Sequence, residues 1–168
     1  MALAGSFLPM PIMAAVHRSS IPPRTLAFFN THTAEALRVC YFKNGEYVPA
    51  ALKKIDYVLR DHRTNEIMPI DSRLLDTLYQ VQCRLGTSDP FHVISGYRSP
   101  KTNEMLRRIS SGVAQASLHL KGRAIDIRLP QFSTRKLRQV CLGLRAGGVG
   151  YYPKSDFVHV DTGQVRSW

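Results

Sequence analysis

Two short segments in the second half of the chain, Ala124 to Leu129 and Phe157 to Asp161, alternate between apolar and polar or ionisable residues. A β-strand turns successive side chains to opposite faces, so each segment has two unlike sides. In the first, Ile125, Ile127 and Leu129 share one face while Ala124, Asp126 and Arg128 share the other. In the second, Val158 and Val160 oppose Phe157, His159 and Asp161. Strands of this kind belong in a sheet with one face covered by helices and one face open. Asp126 and His159 then lie side by side on the open face.

The remaining elements fit that frame. Leu37 to Phe42 and Tyr47-Val48 flank Lys43-Asn44-Gly45-Glu46, a hairpin turn signal. Pro49 opens a helix predicted to reach His62, and Asp71 is placed to cap a second helix over 71–85. Phe91 to Ser95 reads as a strand. Residues 100–110 read as a helix with Met105, Leu106 and Ile109 inward. Ser133 caps a helix to about Arg145, with Leu137, Val140 and Leu144 inward and Gly147-Gly148 as its stop. Val149 to Tyr152 is a further strand. Helices lead and most strands follow, which predicts an α+β fold: an antiparallel sheet with helices on one face.

The folded domain is expected to begin near Glu35 and run over residues 35–168. Met1 to Ala15 is apolar, uncharged and rich in small residues, like the core and cleavage region of an export signal. The usual basic start is missing. Translation then starts upstream of Met1, or the segment is an uncleaved arm or membrane anchor. Residues 16–34 carry Ser, Pro and Thr with little periodicity and read as an extended linker. The 168 residues, 44% of them hydrophobic, suffice for a single core. No transmembrane helix is expected. A net charge of +11 points to an anionic partner: nucleic acid, a membrane surface or an acidic polymer such as cell wall. No stacking or groove-reading motif supports nucleic acid. Cys40, Cys83 and Cys141 lack metal or redox spacing and read as small buried hydrophobes. A monomer is expected.

His119, Asp126 and His159 form a candidate metal-ligand set. Two imidazoles and one carboxylate suit Zn²⁺, one per chain, with the fourth position left for water as in a catalytic site. His119 must come from the loop before its strand, and Gly122 lets that loop turn back. His17, His32, His62 and His92 stand in no such context.

Around these ligands the chain resembles the zinc D,D-peptidase family, which includes the D-Ala-D-Ala dipeptidases and the hedgehog signalling domain. The likeness covers about residues 35–168. It rests on Ser-Gly-Tyr-Arg-Ser (95–99), Asn103, Gly-Val-Ala (112–114), Ser-x-His-x-x-Gly-x-Ala-x-Asp (117–126), Gly-Gly-Val-Gly-Tyr-Tyr-Pro (147–153) and Phe-Val-His-Val-Asp-Thr-Gly (157–163). Six motifs in the same order are far more specific than one. The resemblance implies a hedgehog/D,D-peptidase-like fold and an exported zinc enzyme that cuts cross-links between peptidoglycan stem peptides.

The family often has an acid three residues before its last histidine, which makes Asp156 the candidate general base. Asp161 is the rival, with the alternative role of orienting a ligand imidazole. Arg98 matches an arginine beside the family's metal and is placed to hold a carboxylate or a developing oxyanion. Ser117 and Tyr97 are candidates for contacting substrate. The reading is thus a periplasmic zinc metallopeptidase acting on stem peptides. Likeness to the family's murein endopeptidases favours the L,D bond of a 3-3 diaminopimelate cross-link. The alternatives are D,D-endopeptidase or D,D-carboxypeptidase action on D-Ala bonds, or a non-catalytic zinc-containing module that binds cell wall.

Overall fold

The computed structural model describes residues 21–168, apart from 111 and 113. An eight-stranded, mostly antiparallel sheet runs in the order β3-β2-β1-β4-β5-β7-β6-β8. Its strands are β1 (Arg24–Asn30), β2 (Ala36–Lys43), β3 (Glu46–Tyr47), β4 (Phe91–Ser95), β5 (Ala124–Arg128), β6 (Gly148–Tyr152), β7 (Phe157–Asp161) and β8 (Arg166–Ser167). The four helices are α1 (Pro49–Val58), α2 (Ser72–Leu85), α3 (Pro100–Ile109) and α4 (Thr134–Leu144). The fold is α+β, as the order of elements predicts. Among the described residues, no helix is long and apolar enough to cross a membrane.

The alternating strands supply the sheet half of the core. Ile125, Ile127, Val158 and Val160 are buried in one cluster with Leu74, Leu75, Leu78 and Val81 of α2 and Leu137 and Cys141 of α4. Burying each such side chain contributes about 1.5–3 kcal/mol, so this layer holds helices and sheet together. The helix ends follow their sequence signals. Asp71 accepts from Arg73 N at 3.0 Å, and Ser133 accepts from Lys136 N at 3.3 Å. The hairpin turns through Asn44 and Gly45, both at positive φ.

Several expectations need correction. The domain does not begin at Glu35: β1 lies well inside the sheet, antiparallel to β2 and parallel to β4, with Leu26, Ala27 and Phe28 buried. The Ser, Pro and Thr of residues 16–34 masked a short, fully apolar run, Leu26 to Phe29, which is the signature of a strand covered on both sides. The export-signal reading of residues 1–15 lies outside the described residues. α1 stops at Val58, and the chain from Leu59 to Asp61 turns away to support the loop after β4. In α3, Met105 and Ile109 are exposed, whereas Thr102 and Asn103 are buried. Its inward face serves the site rather than the core. Arg145 at positive φ, not the Gly147-Gly148 pair, ends α4. Cys83 is exposed and only Cys141 is fully buried, and all three cysteines are free.

Candidate metal centre

The sheet register places the ligands. Asp126 on β5 pairs directly with His159 on β7. His159 is also opposite Gly150 on β6. His119 reaches them from a 3₁₀ turn, Leu118–Lys121, just before β5. Ser117 caps that turn by accepting from His119 N at 3.3 Å. Gly122 ends it at φ +62°, where an added Cβ would lie 2.3 Å from the Pro69 carbonyl. Only glycine fits there.

Three donor atoms converge. His159 Nδ1 lies 2.8 Å from Asp126 Oδ1 and 3.2 Å from His119 Nε2. His119 Nε2 lies 3.3 Å from Asp126 Oδ1. A tetrahedral cation with bonds of about 2.0–2.1 Å keeps its donors about 3.3 Å apart. The observed separations sit at or just inside that value. The far nitrogen of each ring is already engaged. His119 Nδ1 donates to the Gly96 carbonyl at 2.7 Å, and His159 Nε2 donates to Asp161 Oδ2 at 3.1 Å. These bonds select the tautomers whose lone pairs point inward. Two imidazole lone pairs and a carboxylate facing one point fit a divalent cation and little else.

The electrostatics agree. With no cation bound, burial disfavours charge on His159, but hydrogen bonds to Asp126 and Asp161 outweigh it and push its pKa up to about 9, so Nδ1 then carries a proton that a cation would displace. Burial likewise opposes ionisation of Asp126, and the two histidines more than reverse that, holding it well below the usual carboxylate range. The surroundings therefore favour a positive charge among these three side chains.

Asp161 is completely buried and heavily engaged. Besides His159 it accepts from Gly148 N at 3.0 Å, Gly163 N at 2.7 Å and both terminal nitrogens of Arg166. A carboxylate so occupied has no lone pair free for a water proton. Its contacts are those of a group that orients His159. Asp161→Asn should therefore weaken metal affinity by roughly 10- to 100-fold, measured by competition with a chromogenic chelator. Unchanged affinity would remove this role.

Arg98 comes from the loop between β4 and α3. Its side chain is largely buried beside the ligands, with Nη2 3.7 Å from Asp126 Oδ2 and Nη1 3.3 Å from Asn103 Oδ1. Among the described residues its Nε has no hydrogen-bond partner. Burial lowers its pKa, opposed by the Asp126 charge. The loop is fastened by groups that the sequence motifs did not single out. Tyr97 N donates to the Leu59 carbonyl at 2.8 Å, and Ser99 N donates to Asp61 Oδ2 at 2.8 Å. Burial raises the Asp61 pKa, but hydrogen bonds from the segment around Ser99 and from Arg63 N outweigh it, leaving about 2.

A depressed carboxylate stabilises the fold above its unfolded pKa and loses that contribution as pH falls through its folded one. The Asp61 contribution is thus complete above about pH 4 and lost towards pH 2. Asp61→Asn should lower unfolding free energy by about 1–3 kcal/mol at pH 7, with the difference from wild type shrinking below pH 4 in urea titrations. Equal stability at pH 7 would show that the latch is dispensable.

The ligands floor a cleft of ≈ 480 Å³, lined also by Arg98, Ser117, Tyr152, Phe157 and Trp168. That volume suits a peptide segment. Tyr97 does not line it: it is buried in the hydrophobic core, so its expected substrate contact is withdrawn. Asp156 is also outside the lining. It sits at φ +53° in the turn before β7, its carboxylate mostly exposed and 3.5 Å from Arg128. Trp168 and Arg166, not singled out from the sequence, border the cleft from the C-terminal strand. Their signal was the glycine spacing of Gly148 and Gly150, which leaves room for side chains from elsewhere.

Comparison with known proteins agrees with this geometry. A family model described as "Peptidoglycan L,D-endopeptidase MepK" matches residues 18–168. The chain is 44% identical over 167 residues to the Peptidoglycan L,D-endopeptidase MepK of Escherichia coli K12, covering 99% of this chain and 91% of that protein. It is 46% identical over 168 residues to the Probable peptidoglycan L,D-endopeptidase MepK of Haemophilus influenzae Rd, covering 99% and 89%. With its zinc-type donor set on the expected α+β frame and likeness along nearly its whole length, this chain belongs to the MepK family of metallopeptidases.

Proposed function

We propose that this protein is an exported, zinc-dependent peptidoglycan endopeptidase, working in the periplasm on the L,D bond of 3-3 diaminopimelate cross-links. The carrying observation is the convergence of His119 Nε2, Asp126 Oδ1 and His159 Nδ1 beside the Arg98 guanidinium at the floor of an open cleft. The names of the relatives support peptidoglycan as substrate and the L,D bond as target. The +11 charge suits acidic stem peptides.

His119, Asp126 and His159 would hold zinc, which when bound lowers the pKa of water towards 7 and polarises a scissile carbonyl. The protein's own part is positional. Gly96 and Asp161 keep both imidazoles in the liganding tautomer. Arg98, whose Nε has no partner among the described residues, would donate to a substrate carboxylate or stabilise negative charge on the carbonyl oxygen of the scissile bond. Ser117 acts first on the turn that carries His119.

Asp156, the sequence candidate for general base, is tied to Arg128 away from the cleft lining. Its exposed carboxylate beside Arg128 supports a role outside the reaction. Asp156→Asn should leave kcat/KM close to the wild-type value. A loss of ~10²-fold or more would restore it as the base.

Defined muropeptide dimers carrying either a 3-3 or a 4-3 cross-link, incubated with and without chelator and analysed by mass spectrometry, test the proposal. Chelator-sensitive cleavage of the 3-3 dimer is expected. Cleavage of the 4-3 dimer alone would move the activity to a D,D bond. Cleavage of neither by metal-loaded protein would favour a wall-binding module.

A further inference from the structure

The cleft beside the family ligands contains a pair of residues, Tyr152 and Trp168, that the metal site does not require. On β6, Gly148, Gly150 and Tyr152 stand opposite Asp161, His159 and Phe157 of β7 and share their face. The C-terminal strand β8 runs parallel beside β6 and lays Arg166 and Trp168 over the two glycines. A Cβ on Gly148 would lie 2.5 Å from Arg166 Nη1, and one on Gly150 would lie 2.7 Å from the Trp168 ring. A side chain at either position would have to push the guanidinium or the indole aside. The glycines thus let the indole settle with its centroid 5.2 Å from that of the His159 imidazole.

From there the indole grips Tyr152. Trp168 Nε1 donates to Tyr152 Oη at 2.9 Å. Phe157 stacks on the Tyr152 ring at 4.5 Å with an 18° tilt. The phenol is therefore fixed by its ring and by its oxygen, at the edge of the cleft. A phenol oxygen that accepts from the indole still carries its own proton. Among the described residues that proton has no acceptor: Tyr152 Oη takes part in no hydrogen bond other than the one with Trp168. Trp168, Arg98 and Arg166, which share the lining, are donors and cannot accept it. With the Arg98 guanidinium in the same cleft, this O–H suits an oxygen atom of a ligand.

We propose that Tyr152 is a further catalytic residue, donating its phenolic O–H to a carbonyl or carboxylate oxygen of an acidic peptide beside the scissile amide, with Trp168 as the positioning residue that aims it. The proton stays on Tyr152 and no bond to it breaks; the contribution is a directed hydrogen bond within the cleft that Arg98 also lines. The proposal rests on the endopeptidase reading above.

Tyr152→Phe keeps the ring and its stacking but removes the donor. Trp168→Phe keeps an aromatic wall but removes the indole N–H. With the metal-loaded full chain and a 3-3 cross-linked dimer, Tyr152→Phe should lower kcat/KM by about 10- to 100-fold, with zinc content unchanged. Trp168→Phe should cost several-fold in wild type and almost nothing in the Tyr152→Phe background, because it acts through the phenol. Independent losses that multiply would overturn the positioning role. Wild-type kcat/KM in Tyr152→Phe would overturn the whole proposal while leaving the endopeptidase reading intact.

Trp168 is the chain's only tryptophan, so its emission gives a readout apart from turnover. Titration of metal-free protein with the same dimer should change that emission in wild type, with affinity weakened several-fold in Tyr152→Phe. If wild type cleaves no dimer, the endopeptidase reading fails. The Tyr152 contact then stands only if this weakening is still seen, and falls if the emission never responds.

Discussion

Alanine at His119 or at His159 should leave a folded protein that retains no stoichiometric metal and has no measurable endopeptidase activity. Each histidine contributes one of the three donor atoms found among the described residues, and the atoms lie 2.8–3.3 Å apart, so a two-donor remnant has no comparable grip. The fold should survive, because neither side chain belongs to the apolar cluster beneath the sheet. Inductively coupled plasma mass spectrometry on protein dialysed against limiting zinc measures the first effect, and digestion of cross-linked dimers the second. Trp168, 5.2 Å from His159, adds a spectroscopic check. Paramagnetic Co²⁺ should quench its emission in wild type and not in His159→Ala. Full zinc stoichiometry in both alanine variants would falsify the ligand set.

Arg98→Ala should separate metal binding from chemistry. The guanidinium contributes no donor to the ligand triad, so zinc content should remain near one per chain. Its loss removes a fixed positive charge 3.7 Å from Asp126 Oδ2, within the same cleft as the reacting bond. Losing such a preorganised group is worth about 10²–10³ in kcat. Arg98→Lys should restore little, because an ammonium has neither the planar fork nor the reach that Asn103 Oδ1 and Ser95 Oγ hold in place. The loop itself remains tied through Tyr97 N and Ser99 N, so a global change of structure is not expected. Equal activity in wild type and Arg98→Ala would reduce Arg98 to a buried structural charge.

The two residues that the sequence offered as acids behave differently because their environments differ. Asp161 lies on β7 with its neighbours' backbone N–H groups aimed at it, and five hydrogen bonds occupy it. Asp156, five residues earlier, lies in a solvent-facing turn with Arg128. A motif spacing of three residues before His159 gave no means of seeing this. Whether a carboxylate lies in the cleft depends on the turn that leads into the strand, here with a residue at positive φ. Tyr97 misled in the same way. It sits in a motif beside Arg98, yet adjacent residues on this loop point to different places, one into the core and one into the cleft.

What the sequence determined by itself was everything with a short period or a local cap. Alternation over Ala124 to Leu129 and Phe157 to Asp161 placed the strands and the open face, because side chains in a strand must alternate. Asp71, Ser133 and Asn44-Gly45 marked element ends through bonds or backbone angles reached within a few residues. The ligand residues were legible because their types are chemically uncommon together and their order matched a family. Only the tertiary structure decided what depends on distant segments meeting. It placed Leu26 to Phe28 inside the sheet, between the adjoining strand β2 and the distant β4. It also brought Asp61 to Ser99, 38 residues away, and Trp168 to Tyr152, 16 residues away. These contacts carry no local periodicity. They arise because burying the apolar faces fixes the sheet order, and the sheet order then determines which loops and strand ends converge on the site.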